Sequence, residues 1–343
     1  MSTLSWLPEP LHQVAIRLAR ADQLAYDLAL VLLSWSRGTD DVGALEIRQV
    51  ERVRGYYDVE VAKVRPTPPV ADMLFSEAIG HLRAALDNVV FYLAEHEHGQ
   101  TLTAKQAKSV SMPISDAQVS YDKTLKNPIG KGLACFEPTA TLGKRLQTLQ
   151  PFADPTTVPS MNPALARIMG VTVVETNPLV LLREYSNHDK HRAIRVAVGQ
   201  TLVQRDDDWR RSVTGGMRPF EVGTVLETVK KGVLTGMEFS PALLVQRPDE
   251  HWVEIVPELD GIARYVSDIA IPTLVTGMAL PGGLPVDIDL ADTGKTIAER
   301  AAAAGSIRAH ERAREVMTQA LLDASQQLPK WPETIDLAEE SQG

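Results

Sequence analysis

The chain has 343 residues, 44% of them apolar and 23% charged, so it can bury a sizeable core and is not disordered throughout. A formal net charge of −9 disfavours broad adhesion to nucleic acid. A single cysteine, Cys135, excludes an intrachain disulfide and speaks against a thiolate metal site.

Apolar residues recur at helical spacing from Pro8 to Ser36, and Gly38-Thr39-Asp40-Asp41 marks a stop. The run Leu28 to Trp35 is too short to span a bilayer and reads as core helix. A period-two pattern then predicts a strand within residues 50–64, with Val53, Gly55, Tyr57, Val59 and Val61 on one face. Pro66, Pro68 and Pro69 end it and open a long helix from Val70 to about His96. Its core face is Leu74, Ala78, Leu82, Leu86, Val89 and Leu93.

Residues 98–175 are rich in proline and read as an ordered, loop-rich wrap, with short helices at Thr139 to Leu149 and Pro163 to Met169. Cys135 sits there among apolar residues, without an activating base nearby, and is expected to be a buried, inert thiol. Asn177 and Pro178 suit the N-cap and first position of a helix reaching about His191. Strand patterns around Ile194 to Val198, Glu221 to Lys230, Leu234 to Gln246 and Trp252 to Val256 predict an antiparallel meander, with Lys231-Gly232 as a hairpin turn. Gly215-Gly216 reads as another turn, and Arg205 to Arg211, balanced by three aspartates, as a solvated loop. Leu259 to Val275 is again helical, kinked at Pro272.

The expected fold is therefore α+β, with a helical core packed against an antiparallel meander and a C-terminal helix added. One domain is expected over residues 1–280, with helices in 8–191 and 259–276 and the sheet in 193–256, joined by the 50–64 strand. Residues 281–343 read as a Pro/Gly linker, a helix over about Thr293 to Leu328 and an acidic tail. That helix is a candidate for self-association, so a homodimer is one expected assembly.

Two polar blocks stand out. Arg83 lies four residues before Asp87, so the two can meet on one helical turn beside the stripe of Leu82 and Leu86. A guanidinium there needs a partner or a ligand, because burying it alone is costly. The bland reading is a structural Arg–Asp pair fixing two helices; the functional one is an arginine that meets a ligand. The second block is Asn187-His188-Asp189-Lys190-His191-Arg192. Cations at a helix C-terminus suit the macrodipole, and the same groups could serve as acid, base and phosphate ligands. Charges at such positions need partners, and packing the two helices together would let Asp189 or Asp87 neutralise Arg83 with His191 nearby.

Four segments in order, His81 to Asn88, Met112-Pro113-Ile114, Leu149-Gln150-Pro151-Phe152 and Asp189-Lys190-His191-Arg192, resemble the blocks of a family of uncharacterised bacterial and phage-borne proteins. In that family the first block carries Arg, four residues, then His, which is similar to the motif of HEPN domains, helical modules that include metal-independent ribonucleases. The resemblance implies Arg83 as the phosphate-stabilising residue. The histidine position holds Asn88, which cannot carry a proton near neutral pH. Either catalysis is lost or His191 supplies the proton.

The site expected from the sequence is thus Arg83 and His191 as catalytic candidates, with Asp87, Asn88, Asp189, Lys190 and Arg192 as a binding or structural polar cluster. No cofactor is expected. Gly130-Lys131-Gly132 is no phosphate loop, and no metal is expected either, because His188, Asp189 and His191 lack complete ligand spacing. The first functional reading is a cytoplasmic binding or scaffold protein with a HEPN-like helical core and a degenerate motif. The other is a HEPN-like RNA-acting enzyme of a defence or toxin system, with RNA as partner. No membrane association is expected.

Overall fold

The computed structural model describes residues 4–37, 44–53, 55–191, 194–205, 217–232 and 237–327. A turn of 3-10 helix, Glu9–Leu11, leads into α1 (His12–Arg37). Val14, Ala15, Leu18, Leu28 and their neighbours form its buried stripe, continued from Leu11 of the turn before it. After it come β1 (Leu45–Val53) and β2 (Tyr56–Val64). α2 (Pro69–His98) follows, with proline at its first turn and Gly99 at its C-cap at φ 72°.

α3 (Ala104–Ala107), α4 (Gln118–Gly130), α5 (Thr141–Thr148), β3 (Val158–Pro159), α6 (Pro163–Met169) and β4 (Glu175–Thr176) make up the proline-rich wrap. α7 (Pro178–His191) starts where expected, the Asn177 side chain accepting from Leu179 N at 2.9 Å. Then come β5 (Val196–Arg205), β6 (Val225–Lys230), β7 (Met237–Gln246), β8 (Trp252–Glu254) and α8 (Ile255–Arg264). A π-helical stretch, Tyr265–Ala270, joins α8 to α9 (Ile271–Thr276). α10 (Ile297–Ala303) and α11 (Ala309–Gln327) end the described chain.

The α+β architecture is as expected: a helical core, antiparallel sheets and a C-terminal helix. α1 lies along α2, which also packs on α7, where Phe75 meets Tyr185 edge-on at 5.0 Å between ring centres. No described helix is long and apolar enough to cross a membrane.

Three details differ from expectation. The 50–64 pattern belongs to a hairpin, not one strand: β1 and β2 pair antiparallel, and Gly55 turns the chain at φ 94°. The meander is divided between two three-stranded sheets, ordered β1-β2-β6 and β5-β7-β8. β6 pairs with β2, and Lys231 N donates to Gly55 O at 2.9 Å, so Lys231-Gly232 closes no hairpin with β7. Finally, the C-terminal helix is two helices, and Asp287 bridges to Gly305 in the break between them.

Beyond Pro281, Leu284, Ile288, Ala301 and Ala309 belong to the same buried core as α1 and α2. Asp22 of α1 fixes the start of α11, accepting from Ala309 N at 2.9 Å and pairing with Arg312 at 2.7 Å. Pro272 has no N–H to give the Asp268 carbonyl, which accepts from Leu280 N at 2.9 Å instead. The stop at Gly38 to Asp41, the 206–216 loop with Gly215-Gly216, Leu234 and the acidic tail lie outside the described residues.

Cys135 is buried, its Sγ 4.0 Å from the Ala94 carbonyl oxygen. Burial, helped by the nearby Glu97 charge, pushes its thiol up to about 11. Little thiolate therefore exists at neutral pH. We expect native protein to react with Ellman's reagent only at the rate at which it unfolds; a burst of one thiol per chain would contradict this.

Candidate functional site

Arg83 and Asp87 meet as the i, i+4 spacing requires, with Nε 3.3 Å from Oδ2. They do more than pair. Arg83 Nη2 donates to Met112 O at 2.7 Å, and Met112 N donates to Asp87 Oδ1 at 2.8 Å. The two side chains therefore clasp both backbone groups of one residue in the Met112-Pro113-Ile114 turn.

The same turn is held from two other sides. Gln150 is fully buried; its amide nitrogen donates to Pro113 O and Leu146 O, each at 2.9 Å, and its oxygen accepts from Ser115 N at 3.0 Å. From α7, Arg183 donates to Ile114 O at 3.3 Å and to Asp116 at 2.9 Å. The first and third sequence blocks thus converge on the second, at residues 112–116. Together they satisfy backbone groups of an otherwise irregular loop.

Asn88 points elsewhere. With its amide oriented to suit its neighbours, it accepts from Arg17 Nε of α1 at 3.0 Å and donates to Ala84 O at 3.3 Å. Five residues turn a helix by about 140° past a full circle, so Arg83 and Asn88 serve different faces of α2.

The fourth block does not reach the clasp through any described side chain. Asp189 is exposed, and His188 lines a polar cavity of about 380 Å³ with Tyr185, Arg195 and Arg247. The side chains of Lys190 and His191, and the whole of Arg192, lie outside the described residues. α2 and α7 do pack together, but Arg83 is neutralised by Asp87 on its own helix. Among the described residues, no three or more His, Cys, Asp or Glu side chains are grouped so as to hold a metal ion.

Two features are not evident in the sequence. The first is a buried ion pair. Arg247 Nη2 lies 2.6 Å from Glu258 Oε2, and both side chains are almost wholly enclosed. The remaining donors of Arg247 reach the carbonyls of Val158, Pro159 and Val174 and the Thr176 hydroxyl, while Tyr185 donates to Glu258 at 3.0 Å. Burial pushes the Glu258 carboxyl above the usual range, and its bonds to Arg247 and Tyr185 pull it back.

The second is a basic cavity of about 400 Å³ bounded by α1, α2 and the stretch around α10. Arg17 and Arg20 of α1, His81 of α2, and Lys295 and Arg300 face it, with Ile16, Leu290 and Ile297 as an apolar wall. Burial, then the charges of Arg17 and Arg20, hold His81 below the ordinary histidine range, and its Nδ1 is buried without a partner. The sequence carries one weak signal, Arg17 and Arg20 on one face of a helix. Nothing local to them announces Lys295 or Arg300.

The fold and its sites define an α+β protein with a structural clasp, a buried ion pair and a basic cavity. No family model, no curated protein and no solved structure matches the chain.

Proposed function

We propose that the chain is a binding protein on a helical core, in which Arg83 and Asp87 form a structural clasp and not a nuclease centre. One observation carries this reading: Arg83 spends its guanidinium on Asp87 and on the Met112 carbonyl, 2.7 Å away. An arginine that stabilises phosphate charge must aim its donors at the place the phosphate will occupy. The side chain of Arg83 is only 20% exposed, and the partner a HEPN-like motif would need, Asn88, is directed at Arg17.

Two measurements test it. Purified protein incubated with single-stranded and hairpin RNA, without added metal, is expected to leave both intact. Arg83→Ala is expected to destabilise by about 1–3 kcal/mol in a urea melt, since it takes the Arg83 donor from the Met112 carbonyl and leaves the half-buried Asp87 carboxylate with Met112 N but no counter-charge. RNA cleavage that Arg83→Ala abolishes without moving the melt would establish the enzyme reading instead.

A further inference from the structure

We infer that the basic cavity binds a small phosphate monoester carrying an apolar or aromatic group, the chemistry of a mononucleotide. This supplies a ligand class for the binding reading above.

The charge comes first. Arg17, Arg20, Lys295 and Arg300 converge on one concavity in a chain whose net charge is −9. Grouped cations repel one another, and a cavity wall of low dielectric strengthens that repulsion. Such grouping is ordinarily relieved by carboxylates. Among the described residues, none lies within ion-pair distance of Arg17, Lys295 or Arg300, and Arg20 has only a long contact of 3.8 Å to Glu77.

The carboxylates close in sequence make local backbone bonds and no ion pair with these cations, although Glu299 lies near enough to feel the charge of Lys295. Glu299 folds back on Thr296 N at 2.8 Å, Asp289 accepts from Ala291 N at 2.9 Å, and Asp292 accepts from Gly294 N at 3.3 Å. The cations are the groups left facing the opening.

The geometry is also preset. Arg300 is anchored by donation to Lys295 O at 3.2 Å and Asp289 O at 3.3 Å, and Arg17 by its Nε bond to Asn88. A guanidinium has five donors, so each arginine keeps donors to spare for an anion. Asn88, the odd residue of the HEPN-like comparison, thereby acquires a role in orienting Arg17. Phosphate oxygens match arginine's fork, and a lysine adds a point charge.

The apolar wall narrows the class. Ile16, Leu290 and Ile297 would serve no purpose for inorganic phosphate, which is hydrated all round, but they suit a ring or short chain attached to it. A volume of about 400 Å³ falls in the range of small-ligand pockets and holds one such unit, not a strand.

The test uses the full chain and isothermal titration with adenosine 5′-monophosphate, inorganic phosphate, adenosine and a short single-stranded RNA oligomer. The monophosphate is expected to saturate at one per chain, with affinity falling as salt is raised. Inorganic phosphate and adenosine are each expected to bind about tenfold or more weakly. Arg20→Ala combined with Lys295→Ala should cut affinity for the monophosphate by about tenfold or more without lowering the melting temperature, because the change removes only the long Arg20–Glu77 contact and relieves repulsion among the grouped cations. Should the pair fail to fold, Lys295→Ala alone, at an exposed position, is expected to weaken binding about threefold or more. No saturation at millimolar monophosphate, equal affinity for phosphate and monophosphate, undiminished binding by the variants, or binding of an RNA oligomer alone would each overturn the inference. None of these results bears on RNA cleavage, which decides the binding reading separately.

Discussion

Replacing Arg247 with methionine is expected to lower stability by about 3–5 kcal/mol, the usual cost of breaking a buried ion pair from one side. The physical reason is what remains. Glu258 would stay enclosed with no counter-charge, keeping only the Tyr185 hydroxyl. The Val158 and Pro159 carbonyls would lose the Arg247 donor, Val158 in a buried place where water does not readily replace it, while Val174 O would keep only Ser160 N at 2.8 Å. Because those carbonyls belong to the segments of β3 and β4, amide exchange there should accelerate more than in α1. A guanidinium chloride midpoint that stays put in the variant would show that the pair is dispensable. Glu258→Gln should cost a comparable amount, since it leaves the enclosed Arg247 guanidinium, which cannot shed its proton, without a counter-charge, although the amide keeps one acceptor for it.

Leu82→Ala and Leu86→Ala should each cost about 2–5 kcal/mol in the same melt. Both leucines are fully buried on α2, inside the single core that α1, α7 and α8 share. Truncation removes apolar area from the interior and leaves a cavity that rigid helices on several sides cannot fill by shifting. The neighbouring Arg83→Ala should cost less, because its side chain is partly solvated and its clasp can be replaced in part by water. A ranking with Arg83→Ala above either leucine would mean that the 112–116 turn, not the helix face, carries the stability of this region.

The core helices are legible in the sequence because their information is local. The stripe Ala78, Leu82, Leu86, Val89 and Leu93 repeats at the spacing of a helical turn, and all five residues are buried. The N-cap at Asn177 and the Arg83–Asp87 pair are equally local. α4 escapes a sequence reading because Pro128 lies within its last turn, and proline near a helix end looks like loop from sequence alone. The hairpin of β1 and β2 reads as one strand because period-two patterning does not record a reversal of direction.

What the amino-acid order determined by itself is therefore the apolar periodicity, the punctuation by proline and glycine, and the side-chain pairs within a helical turn. Partnership across the chain was decided only by tertiary structure. β6 joined β2 and not β7, Asp22 reached Ala309 across 287 positions, and Gln150 closed on the turn that Arg83 holds from the other side. The basic cavity belongs to the same class, since Arg17 and Arg20 meet Lys295 and Arg300 only when the stretch around α10 returns to α1. Local patterns reflect the conformational preference of a few neighbouring residues, whereas these contacts follow from burying one shared apolar core, and that constraint is imposed by the whole chain at once.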